Sequence, residues 1–324
     1  MQSIVQDQYG EADVLRLEQS ETPEIAPGEV LVRVRAAGVD RGVWHLMAGQ
    51  PYAVRLATGL RAPRNRIRGL ELAGVVESVG ADVTRFGPGD EVYGIGRSTF
   101  AEFAAAREDK LARKPANLSF EQAAAVPVSG PTALQGLRDV GRIAAGQQVL
   151  VIGASGGVGS FAVQLAKAFG AEVTGVSSTA KLDLVRELGA DHVLDYQSDD
   201  VTSHPERYDL ILDTGGNTPL PALRRILTPS GTLVIVGGEG GGRWTGLGRQ
   251  LRAVVLSPFI RQRLAMFVAK EHHSSLEDLT TLIEAGRLTP AVDRTYQLSE
   301  AADAVRRLVD GQARGKVVIT VSSS

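Results

Sequence analysis

The sequence predicts an α/β protein of two domains, in which a doubly wound parallel sheet interrupts a mostly β domain built from both ends of the chain. Three observations carry that prediction. From Gln148 onward strand-like and helix-like segments alternate at the spacing of right-handed βαβ units. The first third instead reads as short strands broken by glycine and proline turns. Beyond Gly286 the chain returns to strand, helix, strand. Residues 1–121 and 288–324 are therefore expected to form the β-rich domain, and residues 122–287 the inserted one. A chain of 324 residues is long enough to bury a core in each.

Taken in order, VLVRVRAAGV (Val30 to Val39) alternates apolar and basic residues, as a half-buried strand does, and Pro27-Gly28 turns the chain into it. AGVVESVG (Ala73 to Gly80) and DEVYGIG (Asp90 to Gly96) repeat the theme, and no helix longer than a turn or two is expected there. Ser119 with Gln122 three residues on makes a capping box before an alanine-rich helical segment. VLVI (Val149 to Ile152) is a continuous apolar run, the signature of a strand covered on both faces. Val158, Phe161, Ala162, Leu165, Ala166 and Phe169 form one helical stripe, with Gly170 where a C-terminal cap belongs. Strands are then expected at Glu172 to Val176, His192 to Tyr196, Tyr208 to Asp213 and Thr232 to Gly237, with helices at Leu182 to Leu188 and Leu220 to Leu227. PAVDRTYQL, EAADAVRRLVDG and KVVITV close the chain. Two segments stay open. GGEGGGRWTGLGRQ (Gly237 to Gln250) is half glycine and reads either as a flexible connector or as a mobile cover leaving a strand end. RQLRAVVLSPFIRQRLAMFVAK (Arg249 to Lys270) is basic and apolar, and suits an interface, a substrate wall or plain packing.

Composition removes several function classes. The charges nearly cancel, at −2 overall with both signs interspersed, which argues against nucleic acid as the main partner. No apolar run approaches the roughly 20 residues of a membrane span, and MQSIVQDQYG has neither a basic stretch nor an apolar one, so a cytoplasmic protein is expected. The absence of cysteine excludes disulfides, thiol nucleophiles and thiolate metal sites. With five histidines, of which His272 and His273 are adjacent, no metal is expected.

The strongest motif is VLVIGASGGVGS (Val149 to Ser160), running from strand to helix. Gly153, Gly156, Gly157 and Gly159 let the backbone approach a pyrophosphate held on unpaired N–H groups at the helix start, with Ser155 and Val158 in the same turn. The motif reads G-x-x-G-x-x-G with an extra glycine, rather than G-x-G-x-x-G. At the end of the second strand an NAD site places an acid for the ribose 2′-hydroxyl. Here stand Ser177-Ser178-Thr179 and Lys181, with no carboxylate before Asp183. Hydroxyl donors and an ammonium suit a 2′-phosphate, so NADPH is the expected cofactor. The bland reading is that Ser178 caps the next helix and Lys181 is solvated.

These segments resemble the medium-chain dehydrogenase/reductase superfamily, in its zinc-free, quinone oxidoreductase-like branch. The resemblance is carried by TPEIAPGEVLVRVRAAGV, GLELAGVVESVGADVTRFGPGDEVYG, the glycine-rich segment continuing to HVLDY, and RGKVVITV. It implies a GroES-like catalytic domain, a Rossmann cofactor domain and a homodimer. By the same resemblance Thr132 looks like the threonine at the nicotinamide end, and Ser178 and Lys181 like the 2′-phosphate contacts. Tyr196 looks like the tyrosine beside the adenosine, Gly237 and Gly238 like the strand end passing over the nicotinamide, and Lys316 like a lysine approaching the cofactor.

The departures are informative. Where zinc alcohol dehydrogenases carry G-H-E-x-x-G, this chain reads Gly69-Leu70-Glu71-Leu72-Ala73-Gly74, and Asp40 replaces a cysteine ligand. The branch's asparagine and aspartate near positions 40 and 43 are here Asp40 and Val43. An activated C=C bond or a quinone needs no Lewis acid, only a donor for the charge that develops on oxygen. Tyr52, Asp40 and His45, in GVDRGVWHLMAGQPY, are the candidates, beside Trp44 as an apolar wall. Packing for Tyr52, a satisfied histidine for His45 and a turn cap for Asp40 are the competing readings. The expected function is metal-free hydride transfer to an enone, enal or quinone, a small hydrophobic substrate. The alternatives are a zinc-type alcohol dehydrogenase with a site made of Asp40, His45 and Glu71, and a non-catalytic NADPH-binding protein.

Overall fold

A computed structural model describes residues 1–237 and 248–321. The chain divides into two compact units, residues 1–129 with 271–324, and residues 130–270.

The first unit begins with β1 (Gln2–Val5) paired antiparallel to β2 (Arg16–Gln19). β3 (Glu29–Val39) buries every second residue from Val30 to Val34, as its alternation predicts, and then becomes wholly buried. The next segment, where no helix longer than a turn or two is expected, is the eight-residue α1 (Arg41–Ala48). Asp40 caps its start and Gly49, at φ 60°, ends it in the left-handed region. α2 (Arg55–Thr58), β4 (Glu71–Val79), β5 (Glu91–Ile95), β6 (Phe103–Arg107) and β7 (Leu111–Arg113) follow. α3 (Phe120–Ala124) carries the expected capping box: the Gln122 N–H donates to Ser119 Oγ at 3.2 Å, and the Ser119 N–H to Gln122 Oε1 at 3.1 Å.

The second unit opens on α4 (Ser129–Leu134). It then alternates β8 (Gln148–Ile152), α5 (Gly157–Ala168), β9 (Glu172–Ser177), α6 (Leu182–Glu187), β10 (His192–Asp195), β11 (Tyr208–Asp213), α7 (Leu220–Ile226) and β12 (Leu227–Ile235). α8 (Gly248–Leu256) and β13 (Arg263–Met266) end it. The six strands run parallel in the order β10-β9-β8-β11-β12-β13. The order reverses beside β8, so a crevice opens at the carboxyl ends of β8 and β11, where such sheets bind ligands. The sheet's core is aliphatic, with Leu150, Ile211, Leu223 and Leu233 fully buried.

The chain returns to the first unit through α9 (His273–Glu284), β14 (Val292–Gln297), α10 (Ala301–Val309) and β15 (Lys316–Thr320). Its larger sheet is ordered β14-β15-β3-β4-β5-β7, with β6 also pairing β3. The units divide at 129/130 and 270/271, where the sequence suggested 121/122 and 287/288. The reason is packing. α3 buries Ala123 and Ala124 against β3 and β4, and α9 lies on β7 with the Tyr93 hydroxyl donating to Leu276 O at 2.7 Å.

Candidate active site

In the second unit the glycine-rich turn is as tight as its sequence implies. Gly153 leaves β8 at φ 82°, and a Cβ on it would lie 2.4 Å from Thr214 Oγ1. A Cβ on Gly159 would fall 2.1 Å from the Gly153 carbonyl oxygen. Gly156 caps α5 in extended conformation and offers no side-chain acceptor to the first turn. The donors around Gly157 and Val158 therefore face outward at the positive end of the helix dipole. A cradle that any side chain would fill, with uncapped N–H groups at its floor, fits a dinucleotide pyrophosphate. Ser155 is turned inward, where its Oγ accepts from the Ser177 hydroxyl at 2.7 Å and ties the turn to β9. Thr214, just past β11, donates from Oγ1 to Ile152 O at 2.7 Å, and a Cβ on Gly237 would meet Thr214 O at 2.3 Å. The ends of β8, β11 and β12 thus converge with no room for side chains.

At the end of β9 Ser178 is half-buried and starts a short turn, Thr179–Lys181, without capping it. Lys181 is half-buried, and Tyr196 is largely exposed beyond β10. A carboxylate does approach from the neighbouring strand: Asp195 accepts from the Thr179 hydroxyl and from the Gln197 N–H at 2.9 Å, and these bonds hold its carboxyl below the usual range. Thr132 is half-buried on α4. Gly238 lies outside the described residues.

A further cluster sits at the same sheet edge. Asp213, the last residue of β11, is fully buried and accepts from the N–H groups of Gly215 and Gly216 at 3.1 and 3.0 Å. Its other oxygen pairs with Arg249 on α8. Among the described residues Arg249 Nε and Nη1 are buried without partners, as is Gln250 Oε1. Arg249 also lines an apolar groove of about 1060 Å³ between the start of α7 and α8, with Leu220, Leu251, Val255 and Phe259 on its walls. Arg249, at the start of α8, links this groove to Asp213 at the carboxyl end of β11.

In the first unit Asp40 is nine-tenths buried; the Val43 N–H donates to its Oδ1 at 3.1 Å, while Oδ2 is buried without a partner. His45 is held by its Nδ1 on Gln50 O at 2.7 Å and meets the Trp44 ring edge-on. Tyr52 is half-buried, and the Arg55 guanidinium lies 4.9 Å over its ring and 4.5 Å over Tyr9. Glu71, fully buried at the start of β4, pairs through Oε2 with Lys316 and accepts the Val128 N–H on Oε1 at 2.8 Å. Burial pushes its pKa up to about 7; Lys316 opposes the shift and the Asp40 charge adds to it.

The structure gathers the turn glycines, Ser155, Thr214 and Gly237 at one crevice, and Asp40, Glu71 and Lys316 in one buried cluster. Lys316 is 2% exposed and committed to Glu71, so its side chain has no freedom to reach a cofactor. Glu71 is equally committed, and His45 is turned to Gln50, which takes both out of a shared site with Asp40. Among the described residues no three His, Cys, Asp or Glu side chains are grouped so as to hold a metal. Thr214, Asp213, Arg249, Gln250 and the Glu71–Lys316 pair were missed from sequence. Their one visible signal was the position of Asp213 and Thr214 at a strand's carboxyl end.

Comparison with known proteins extends this geometry. Residues 26–116 match the alcohol dehydrogenase GroES-like domain family, and residues 188–319 the zinc-binding dehydrogenase family. The chain is 34% identical to the mitochondrial NAD(P)H oxidoreductase RTN4IP1 of Bos taurus, over 99% of this chain and 89% of that one. It is 34% identical to a chloroplastic NADPH-dependent alkenal/one oxidoreductase of Arabidopsis thaliana, over 98% and 79%. The quinone oxidoreductase of Coxiella burnetii superposes with a TM-score of 0.88 at 29% identity, over 99% of each chain. The mitochondrial relatives overturn the expectation of a cytoplasmic protein; among the described residues no helix is long and apolar enough to cross a membrane. With a GroES-like domain, a Rossmann-type parallel sheet and relatives of this kind, the chain is an oxidoreductase with a nicotinamide cofactor and belongs to the medium-chain dehydrogenase/reductase superfamily, in its quinone oxidoreductase-like branch.

Proposed function

We propose that the protein is an NADPH-dependent reductase of activated C=C bonds in enones and enals, or of quinones, working without a metal. The observation that carries the reading is the end of β9: Ser178 and Lys181 stand where an NAD site places an acid, beside a turn whose helix N–H groups suit a pyrophosphate. When bound, NADPH supplies the hydride. The N–H groups at the start of α5 hold the pyrophosphate, Lys181 and Ser178 the 2′-phosphate, and Tyr196 flanks the adenosine. Asp195 keeps its charge satisfied by Thr179 and Gln197, which limits its repulsion of that phosphate. Thr132 and Gly237 would serve the nicotinamide end, where Gly237 leaves the space a side chain would take.

On the substrate side Tyr52 is the preferred donor to the carbonyl oxygen, because Asp40 is buried with one oxygen on the α1 cap and His45 Nδ1 is on Gln50. The α8 groove gives an apolar substrate somewhere to leave water. Homodimerisation belongs to the same reading and is checked by the mass in solution. The reductase reading is tested by following NADPH absorbance with a panel of enones, enals and quinones. Turnover is expected with NADPH well ahead of NADH, and Lys181→Glu is expected to raise the NADPH KM about tenfold to a hundredfold, the value of a charge-assisted contact. Tight NADPH binding without turnover of any acceptor would instead favour a binding protein.

A further inference from the structure

Arg68 precedes β4 in the first unit, with its backbone fixed by bonds from its N–H to Ile4 O and from the Phe100 N–H to its own carbonyl. Its side chain is buried, at 6% exposure, and among the described residues it has neither a hydrogen-bond partner nor an ion pair; Nε is sealed from solvent. A guanidinium does not shed its proton in a protein, so the charge stays. Burying it unpaired is costly, and arginine's five donors in a planar fork are otherwise nearly always used. Burial accordingly pulls its pKa down to about 10.

The side chain lines a cavity of about 260 Å³ that is positive on several sides. Arg64 and Arg97 line it too, together with the polar side chains of Thr58, Asn65 and Ser98, and no acid lines it. The one carboxylate bound to Arg97 is Glu29, which is not among the lining residues. The cavity is the size of a small charged group with a few waters rather than of a whole cofactor. A second buried polar atom without a partner among the described residues, Thr99 Oγ1, lies behind Gly69, which lines the cavity.

We propose that this cavity binds one small oxyanion, a carboxylate or a phosphate group, on the fork of Arg68. A planar guanidinium matches either group with two parallel N–H···O bonds. The cavity is bounded by Leu46 of α1 and by Ala57 and Thr58 of α2, so an occupied site ties the two helices of the Gly38 to Thr58 region to the approach of β4.

The test needs neither cofactor nor turnover, so its failure leaves the reductase reading untouched. Melting temperatures of the full chain are compared for wild type, Arg68→Met and Arg68→Lys in potassium phosphate, potassium acetate and potassium chloride at matched ionic strength. Wild type is expected to gain about 3–5 °C over chloride at a hundredfold excess over the dissociation constant. Arg68→Met loses that increment and melts in chloride no lower than wild type, because an unpaired charge has left the interior. Arg68→Lys keeps less than half of the increment, since a point charge cannot form the fork. A gain with phosphate alone identifies a phosphate group, and a gain with both anions identifies a carboxylate-sized site. Equal increments in wild type and Arg68→Met, or none in wild type with either anion, overturn the proposal. So does an increment in Arg68→Lys equal to that of wild type, which also serves if Arg68→Met fails to fold.

Discussion

Each unit buries an acid against a cation, and the two pairs are built in opposite ways. Glu71 and Lys316 are sealed, at 0% and 2% side-chain exposure, with the second carboxylate oxygen satisfied by the Val128 N–H. Asp213 is as buried as Glu71, but Arg249 is 17% exposed, borders the α8 groove and keeps two buried nitrogen atoms without partners. The first pair joins β4 to β15 across the sheet and has nothing left to offer a ligand. The second braces the Gly215-Gly216 turn at the carboxyl edge of the parallel sheet and still has donors in hand. The two acids are equally buried, and what separates the pairs is the donor capacity that Arg249 retains at the edge of the groove.

The comparison breaks most sharply at Lys316. Lys316→Met removes the cation that opposes the burial of Glu71, so the acid must take up a proton or lie uncompensated in the core, and unfolding should become easier by up to about 3–5 kcal/mol. Replacing both residues, as Glu71→Leu with Lys316→Met, should recover much of that loss. A double variant no more stable than the single one, in urea unfolding, would mean that the pair does more than neutralise itself. Asp213→Asn should cost less, about 1–3 kcal/mol, because the amide oxygen can still accept from Gly215 and Gly216 and Arg249 can turn toward water. A loss at Asp213 as large as that at Lys316 would erase the distinction.

The sealed pair also has a pH signature. The folded-state pKa of Glu71 is raised to about 7, above its ordinary value of 4.5. A raised acid favours the folded state while protonated, so its contribution is complete below about pH 4.5 and falls away as pH rises through about 7. The stability of wild type relative to Glu71→Gln should therefore decline between about pH 5 and pH 8. A constant difference across that window would show that Lys316 outweighs burial.

How far the sequence reveals these features depends on the distance between partners. The glycine turn after β8, the stripe on α5 and the Ser119–Gln122 box are local patterns, and each fell where its residues place it. α1 was legible in principle: Asp40 and Gly49 bracket it as cap and left-handed stop, but Gly42 and β-branched Val43 just after its cap weaken its helical pattern. β13 was missed because four residues at a sheet edge, preceded by a basic stretch, carry no alternation worth reading. Glu71 and Lys316 are 245 residues apart, and no local pattern can join them. α9 looked like the end of the parallel-sheet unit, and only its packing on β7 assigns it to the other.

The smallest effect tests whether the open end of the second pair faces substrate. Leu251, Val255 and Phe259 on the groove are 55%, 68% and 82% exposed, an unusual amount of apolar surface in one short stretch. If the aliphatic part of the substrate lies there, each methylene removed from water adds up to about 0.8 kcal/mol. Across a series of straight-chain 2-enals, kcat/KM should then climb about twofold to fourfold per added carbon until the groove is filled. Val255→Asp puts a charge on that wall and should flatten the climb while leaving the shortest enal nearly unaffected. A wild-type profile indifferent to chain length, alongside good turnover of short enals, would keep the reductase and remove the groove from its substrate site.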